Sequence, residues 1–223
     1  MKSEVLSRIK SAIDSGPIAA IQHKDFDIEQ ARLIAADLEP DEKVSLFAKR
    51  AESSGAETHL IDGINGLRTT IKEIVADKSC VAVACGGQLK DRLKMPASEL
   101  VPASCELIEP EEFNKDKLFK LDVGITGVEF GIAETGSIVL SADQEHSLLT
   151  SLVSGIHIAL IWPDQIVADL MDWTGSFANK ANRELTAGIT VISGPSKTAD
   201  IEVELVIGVH GPGQLHLIIM NER

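Results

Sequence analysis

Short aliphatic runs, too brief for helices and too apolar for a surface, most constrain what this chain can fold into. Cys80-Val81-Ala82-Val83-Ala84, Ile156-His157-Ile158-Ala159-Leu160-Ile161-Trp162 and Leu215-His216-Leu217-Ile218-Ile219-Met220 read as strands buried on both faces. Glu57-Thr58-His59-Leu60-Ile61 precedes the first of them. Between the two lie Ile64, Leu67, Ile71, Ile74 and Val75 at helical spacing. Strand, helix, strand requires parallel pairing and a right-handed crossover. A buried parallel sheet in turn needs helices on its faces, so the expected class is α/β with a mostly parallel sheet.

The rest of the chain fits around that unit. Val5, Leu6, Ile9 and Ile13 share a helix face that stops at Ser15-Gly16-Pro17, and a second helical stretch is expected within Asp27 to Leu38. Pro40 with Asp41 and Glu42 opens a helix whose Val44, Phe47, Ala48 and Ala51 face inward, ended by Gly55. Residues 1–54 are therefore read as an N-terminal helical segment and 55–223 as the α/β domain. Within that domain a short helix is expected at Leu89 to Leu93 and a strand at Cys105 to Ile108. After Asp122 glycines become frequent and helical period vanishes, which predicts strands with tight turns up to Ser141. Pro163-Asp164 is expected to start a helix with Ile166, Val167 and Leu170 inside. Gly188 to Ile192 reads as a strand, and Ile201, Leu205 and Gly208 suit a short helix.

Charge and cysteines exclude several function classes. A formal charge of −13, with scattered basic residues, repels nucleic acid and anionic membrane surfaces. The chain opens without a hydrophobic signal core and holds no apolar stretch of the roughly 20 residues that span a bilayer, so a cytoplasmic location is expected. Cys80, Cys85 and Cys105 in apolar surroundings read as reduced thiols, too few for a four-thiolate iron–sulfur cluster. Six histidines without ligand spacing carry no metal signal, and no cofactor is expected in this chain. The G-x-G-x-x-G, P-loop and G-x-S-x-G patterns are all missing.

Two segments gather polar, conformationally special residues at strand ends. In Glu134-Thr135-Gly136-Ser137 a carboxylate and two hydroxyls surround a glycine. The group can hold a substrate hydroxyl or supply a base, and it can equally be a satisfied turn. In Gly194-Pro195-Ser196-Lys197-Thr198 a capping hydroxyl at Ser196 or Thr198 would open a helix whose free N–H groups, with Lys197, could hold a carboxylate or phosphate. The competing reading pairs Lys197 with Asp200 or Glu202. His210, between Gly208 and Gly211-Pro212, is the best candidate for proton transfer. His157 reads as a hydrogen-bonded core histidine, and His146 and His216 are weaker candidates still.

Asp122-Val123-Gly124-Ile125-Thr126, Gly131-Ile132-Ala133-Glu134-Thr135-Gly136-Ser137, Gly194 to Glu202 and Gly208-Val209-His210-Gly211-Pro212 together resemble, in the same order, the lactate-utilization (LUD) domain family. The chain is most similar to its small, cluster-free subunit, the lactate-utilization protein C type. The resemblance implies a fold like the glucosamine-6-phosphate deaminase, ribose-5-phosphate isomerase and CoA-transferase group. It implies a role beside iron–sulfur partner proteins that carry the clusters while L-lactate is oxidised to pyruvate. Lys197 stands where arginine is expected in many relatives; it keeps the charge without the bidentate fork. An accessory or substrate-binding role and a stand-alone enzyme for a small anion, of isomerase or acyl-CoA-transferase type, both fit the resemblance.

Overall fold

A computed structural model describes residues 37–84, 87–108, 112, 114–142, 148–172, 188–201, 204–207 and 210–221. The helix expected at residues 5–13, and all but the end of the one expected within 27–38, lie outside the described residues. In chain order the elements are α1 (Pro40–Ser53), β1 (Glu57–Asp62), α2 (Gly63–Ile74), β2 (Cys80–Ala84), α3 (Gly87–Leu93) and β3 (Glu106–Ile108). They continue with α4 (Lys115–Leu118), β4 (Val123–Gly127), β5 (Phe130–Ile132), β6 (Ser137–Ala142), α5 (Leu148–Val153) and β7 (Ile156–Ile161). The last are β8 (Ile166–Val167), β9 (Gly188–Ile192), β10 (Lys197–Ile201), β11 (Glu204–Ile207) and β12 (Gln214–Asn221).

The aliphatic runs form one parallel sheet of six strands in the order β1-β12-β7-β4-β2-β3. The central strands are apolar on both faces because both faces are covered. On one face Leu67 and Ile71 of α2 pack with Val81, Val83, Ile125, Ile158, Leu160 and Ile218. On the other, Phe47 and Ala51 of α1 pack with Ala159, Ile161, Leu217 and Ile219 and with Ile138 of a second sheet. That second sheet has the order β8-β5-β6-β9 and is the strand-rich, glycine-rich run of the sequence. Asp122 has a structural role here: its Oδ2 accepts from the Ser79 and Cys80 amides at 2.9 and 3.0 Å, fixing the start of β2 beside β4. No helix among the described residues is long and apolar enough to cross a membrane.

Two expected helices are strands instead. After a 3-10 turn at Pro163–Gln165, Ile166 and Val167 pair in parallel with Gly131 and Ile132, because an available sheet edge outweighs the helical spacing of a few aliphatics. Lys197–Ile201 and Glu204–Ile207 form an antiparallel hairpin with Lys197 opposite Ile207. The strict alternation Ile201-Glu202-Val203-Glu204-Leu205 is a period-two signal, which wins over the i, i+4 pairing of Ile201 with Leu205.

Phe47 is fully buried at the junction of α1 with both sheets. Phe47→Ala should cost about 3–5 kcal/mol through lost burial and the cavity left behind. Urea denaturation of the variant against the parent checks this.

Candidate functional site

The two segments singled out in the sequence meet. Antiparallel pairing of β6 with β9 sets Ile138 opposite Ile192, which places Ser137 beside Ser193. Their hydroxyls lie 2.6 Å apart, and Thr135 Oγ1 donates to Ser137 Oγ at 2.7 Å. Both turns press on the last turn of α1. Gly136 has φ +68°, and a Cβ there would lie 2.1 Å from the Ala51 amide nitrogen; at Gly194, φ +91°, it would lie 2.5 Å from the Ser54 carbonyl. Only glycine allows this backbone shape and this approach together.

A pocket of about 280 Å³ opens beside these turns, with Ser151, His157, Thr190, Ser193, Ser196 and His210 among its lining. The Ser196 amide donates to the Pro212 carbonyl at 2.8 Å, tying the β9–β10 connection to the segment that carries His210. His210 is exposed, so its ring is open to solvent or to a ligand. His157, fully buried, makes a 2.9 Å bond between Nε2 and Thr126 Oγ1, as expected of a core histidine. Its Nδ1, however, is buried without a partner among the described residues. Burial pushes the His157 pKa down to about 3, so the ring is neutral at physiological pH. A buried, neutral, half-satisfied imidazole in a pocket wall is poised to bond a ligand.

The remaining candidates are placed differently. Lys197 does not line the pocket: its Nζ donates to the Ser54 carbonyl at 2.9 Å and so caps the C-terminal end of α1. Because Lys197–Ile201 and Glu204–Ile207 pair as antiparallel strands, the helix N-terminus expected to offer anion-binding amides after Ser196 is not formed. Thr198 lies in β10 opposite Val206, and its side chain is outside the described set. Glu134 is half-buried beside the pocket-forming turns; its amide donates to the Ala168 carbonyl at 3.0 Å, and it is not part of the pocket lining. Ser193, Ser151 and the free edge of His157 were not legible as site residues. Ser193 adjoins Gly194-Pro195 and could have been included on that ground, whereas His157 enters only through the pairing of β7 with β4 and β12, and Ser151 through the packing of α5 on the sheet.

A second crevice, of about 250 Å³, lies at the carboxyl ends of β1, β7 and β12, where open α/β sheets commonly bind ligands. Its one guanidinium, Arg92, is ion-paired with Asp164 and stacked on Trp162 at 4.9 Å. Its cationic group is thus already engaged, whereas the first pocket presents converging hydroxyls and an unpartnered ring nitrogen.

The family model for the LUD domain matches residues 44–220, from α1 to the end of β12. The chain belongs to the LUD domain family. Curated relatives include a lactate utilization protein C from Halalkalibacterium halodurans, 36% identical over 48% of this chain and 48% of that one. Another, from Deinococcus radiodurans, is 35% identical over 57% of this chain and 59% of that one. The chain spans about half the length of the curated relatives it matches. A crystal structure of a DUF162 family protein from Deinococcus radiodurans superposes with a TM-score of 0.63, covering 82% of this chain and 99% of that one at 24% identity. The fold of this LUD protein therefore has an experimental counterpart.

Two outcomes follow from this geometry. Gly136→Ala combines a left-handed backbone with a clash against α1 and should destabilise the LUD protein by about 2–4 kcal/mol, read by urea denaturation. The His157 pKa is lowered from 6.5 to about 3, so the unfolded chain binds the extra proton first as pH falls. The stability from this residue is complete above pH 6.5 and drains away toward pH 3, at no more than about 1.4 kcal/mol per pH unit. Denaturation midpoints between pH 7 and 4 should fall less steeply for His157→Gln than for the parent.

Proposed function

We propose that this LUD protein is a component of an L-lactate utilization system, holding a small anionic ligand while iron–sulfur partner proteins carry the electrons. The name its relatives carry, lactate utilization protein C, is the observation that carries the reading. The pocket agrees with it. A volume of about 280 Å³ suits a small molecule, and serine hydroxyls with His210 and His157 offer bonds to a carboxylate and to a hydroxyl or keto oxygen. Ser196 and Ser193 are the proposed anchors, His210 the group that moves a proton, and Gly136 and Gly194 the backbone that lets the turns close. Thr135 and Ser137 act one bond further out, orienting Ser193.

Oxidation of L-lactate to pyruvate releases two electrons and two protons, so it needs an acceptor. The sequence has neither a nicotinamide fingerprint nor enough cysteines for a four-thiolate cluster, which supports a reading in which a partner supplies the acceptor. On that reading the role of this chain is accessory or substrate-binding. The stand-alone alternative, turnover of a small anion in the manner of isomerases or acyl-CoA transferases, would require no partner.

Anaerobically purified chain, supplied with L-lactate and an artificial electron acceptor, should form no pyruvate until the iron–sulfur partners are added. Steady pyruvate formation by the chain alone overturns the accessory role. Deletion of the gene should impair growth on L-lactate and spare growth on pyruvate, and equal growth on both would remove the lactate assignment.

A further inference from the structure

A second constellation lies on the opposite face of the sheet. Parallel pairing of β1 with β12 sets Glu57 opposite His216, with His59 two residues further along the same face of β1. His59 Nε2 and His216 Nδ1 are 3.1 Å apart, and Glu57 Oε2 is 3.7 Å from the same His216 nitrogen. The three ligand atoms all lie within 4.8 Å of one another. Along β12, Leu215, Leu217 and Ile219 pack toward α1 whereas Ile218 and Met220 pack toward α2. His216 is thus on the α2 face, away from the pocket that Leu215 lines.

We propose that Glu57, His59 and His216 form a binding site for a divalent transition metal of the zinc class. Nitrogens 2.0–2.1 Å from a tetrahedral ion stand about 3.3 Å apart, so the two rings already hold nearly the required edge. Glu57 Oε2, 3.7 Å from His216 Nδ1, needs to close by only about 0.4 Å on that nitrogen, and its side chain is 64% exposed and can do so. His216 is buried, and that burial, reinforced by the His59 ring, holds its pKa below the ordinary value despite the opposing pull of Glu57. Two borderline imidazole nitrogens outweigh the single hard carboxylate oxygen and favour zinc, cobalt and nickel over magnesium or calcium. Three protein ligands leave a coordination position open to water or to a ligand. Sequence spacing argued for a metal-free chain because His216 is 157 residues from His59, and only the β1–β12 register brings them together.

The test is a zinc titration of the untagged, full-length chain against a chromophoric chelator, followed by cobalt substitution. One zinc per chain is expected. His59→Gln should weaken binding by at least roughly tenfold, the scale already seen when groups merely supporting a ligand are lost. Glu57→Gln, at an exposed position that leaves the fold intact, should weaken it independently. The cobalt form should show ligand-field bands without thiolate charge transfer. Absence of stoichiometric zinc, unchanged affinity in either variant, or thiolate charge transfer in the cobalt form would each overturn the assignment.

Discussion

The pocket depends on one contact, the backbone-to-backbone approach of two glycine turns to the last turn of α1. Gly136 sits against Ala51, Gly194 against Ser54, and Lys197 bonds the Ser54 carbonyl as well. Helix ends leave carbonyls unsatisfied, so a lysine amine here both supplies a donor and complements the helix dipole. With α1 anchored to the sheet by Phe47, the turns have a fixed surface to close on. The hydroxyl chain of Thr135, Ser137 and Ser193 then has a defined geometry, which a loop free in solvent could not supply.

Electrostatics inside the pocket follow from burial. The overall charge of −13 disfavours an anion at long range, yet screening by salt limits the reach of surface carboxylates to about 10 Å, and the polar side chains of the lining are hydroxyls and imidazoles. His157 contributes hydrogen bonding without charge, and His210 remains open to solvent. The two rings thus present different surfaces to the pocket, one buried and neutral and the other open to solvent.

Much of this architecture was legible because its signals are local. The runs at Cys80–Ala84 and Ile156–Ile161 and the period of α2 identified the parallel sheet, and Pro40 with Phe47 and Ala51 marked α1 and its inner face. The hairpin of β10 and β11 was misread because Ile201 and Leu205 satisfy both a two-residue and a four-residue period, and only a partner strand decides between them. Of the site, the polar turns at Glu134–Ser137 and Gly194–Ser196 were visible as residue types. Their meeting through β6 and β9 was not, since it joins positions 56 residues apart. Lys197 shows the limit of reading charge alone: a cation beside a glycine turn turned out to serve a helix end. The histidines follow the same rule, with His157 and His216 acquiring their chemistry from neighbouring strands.

The central claim is that a small carboxylate binds in the pocket lined by the Gly194 turn, His157 and the His210-Gly211-Pro212 segment. Backbone and imidazole resonances of the isotopically labelled chain, followed during titration with L-lactate and with pyruvate, test it most directly. Saturable shifts centred on Ser193–Ser196, His157 and His210 are predicted. Shifts centred instead on Gly63, Arg92 and Trp162, or no saturable shift with either acid, would contradict it.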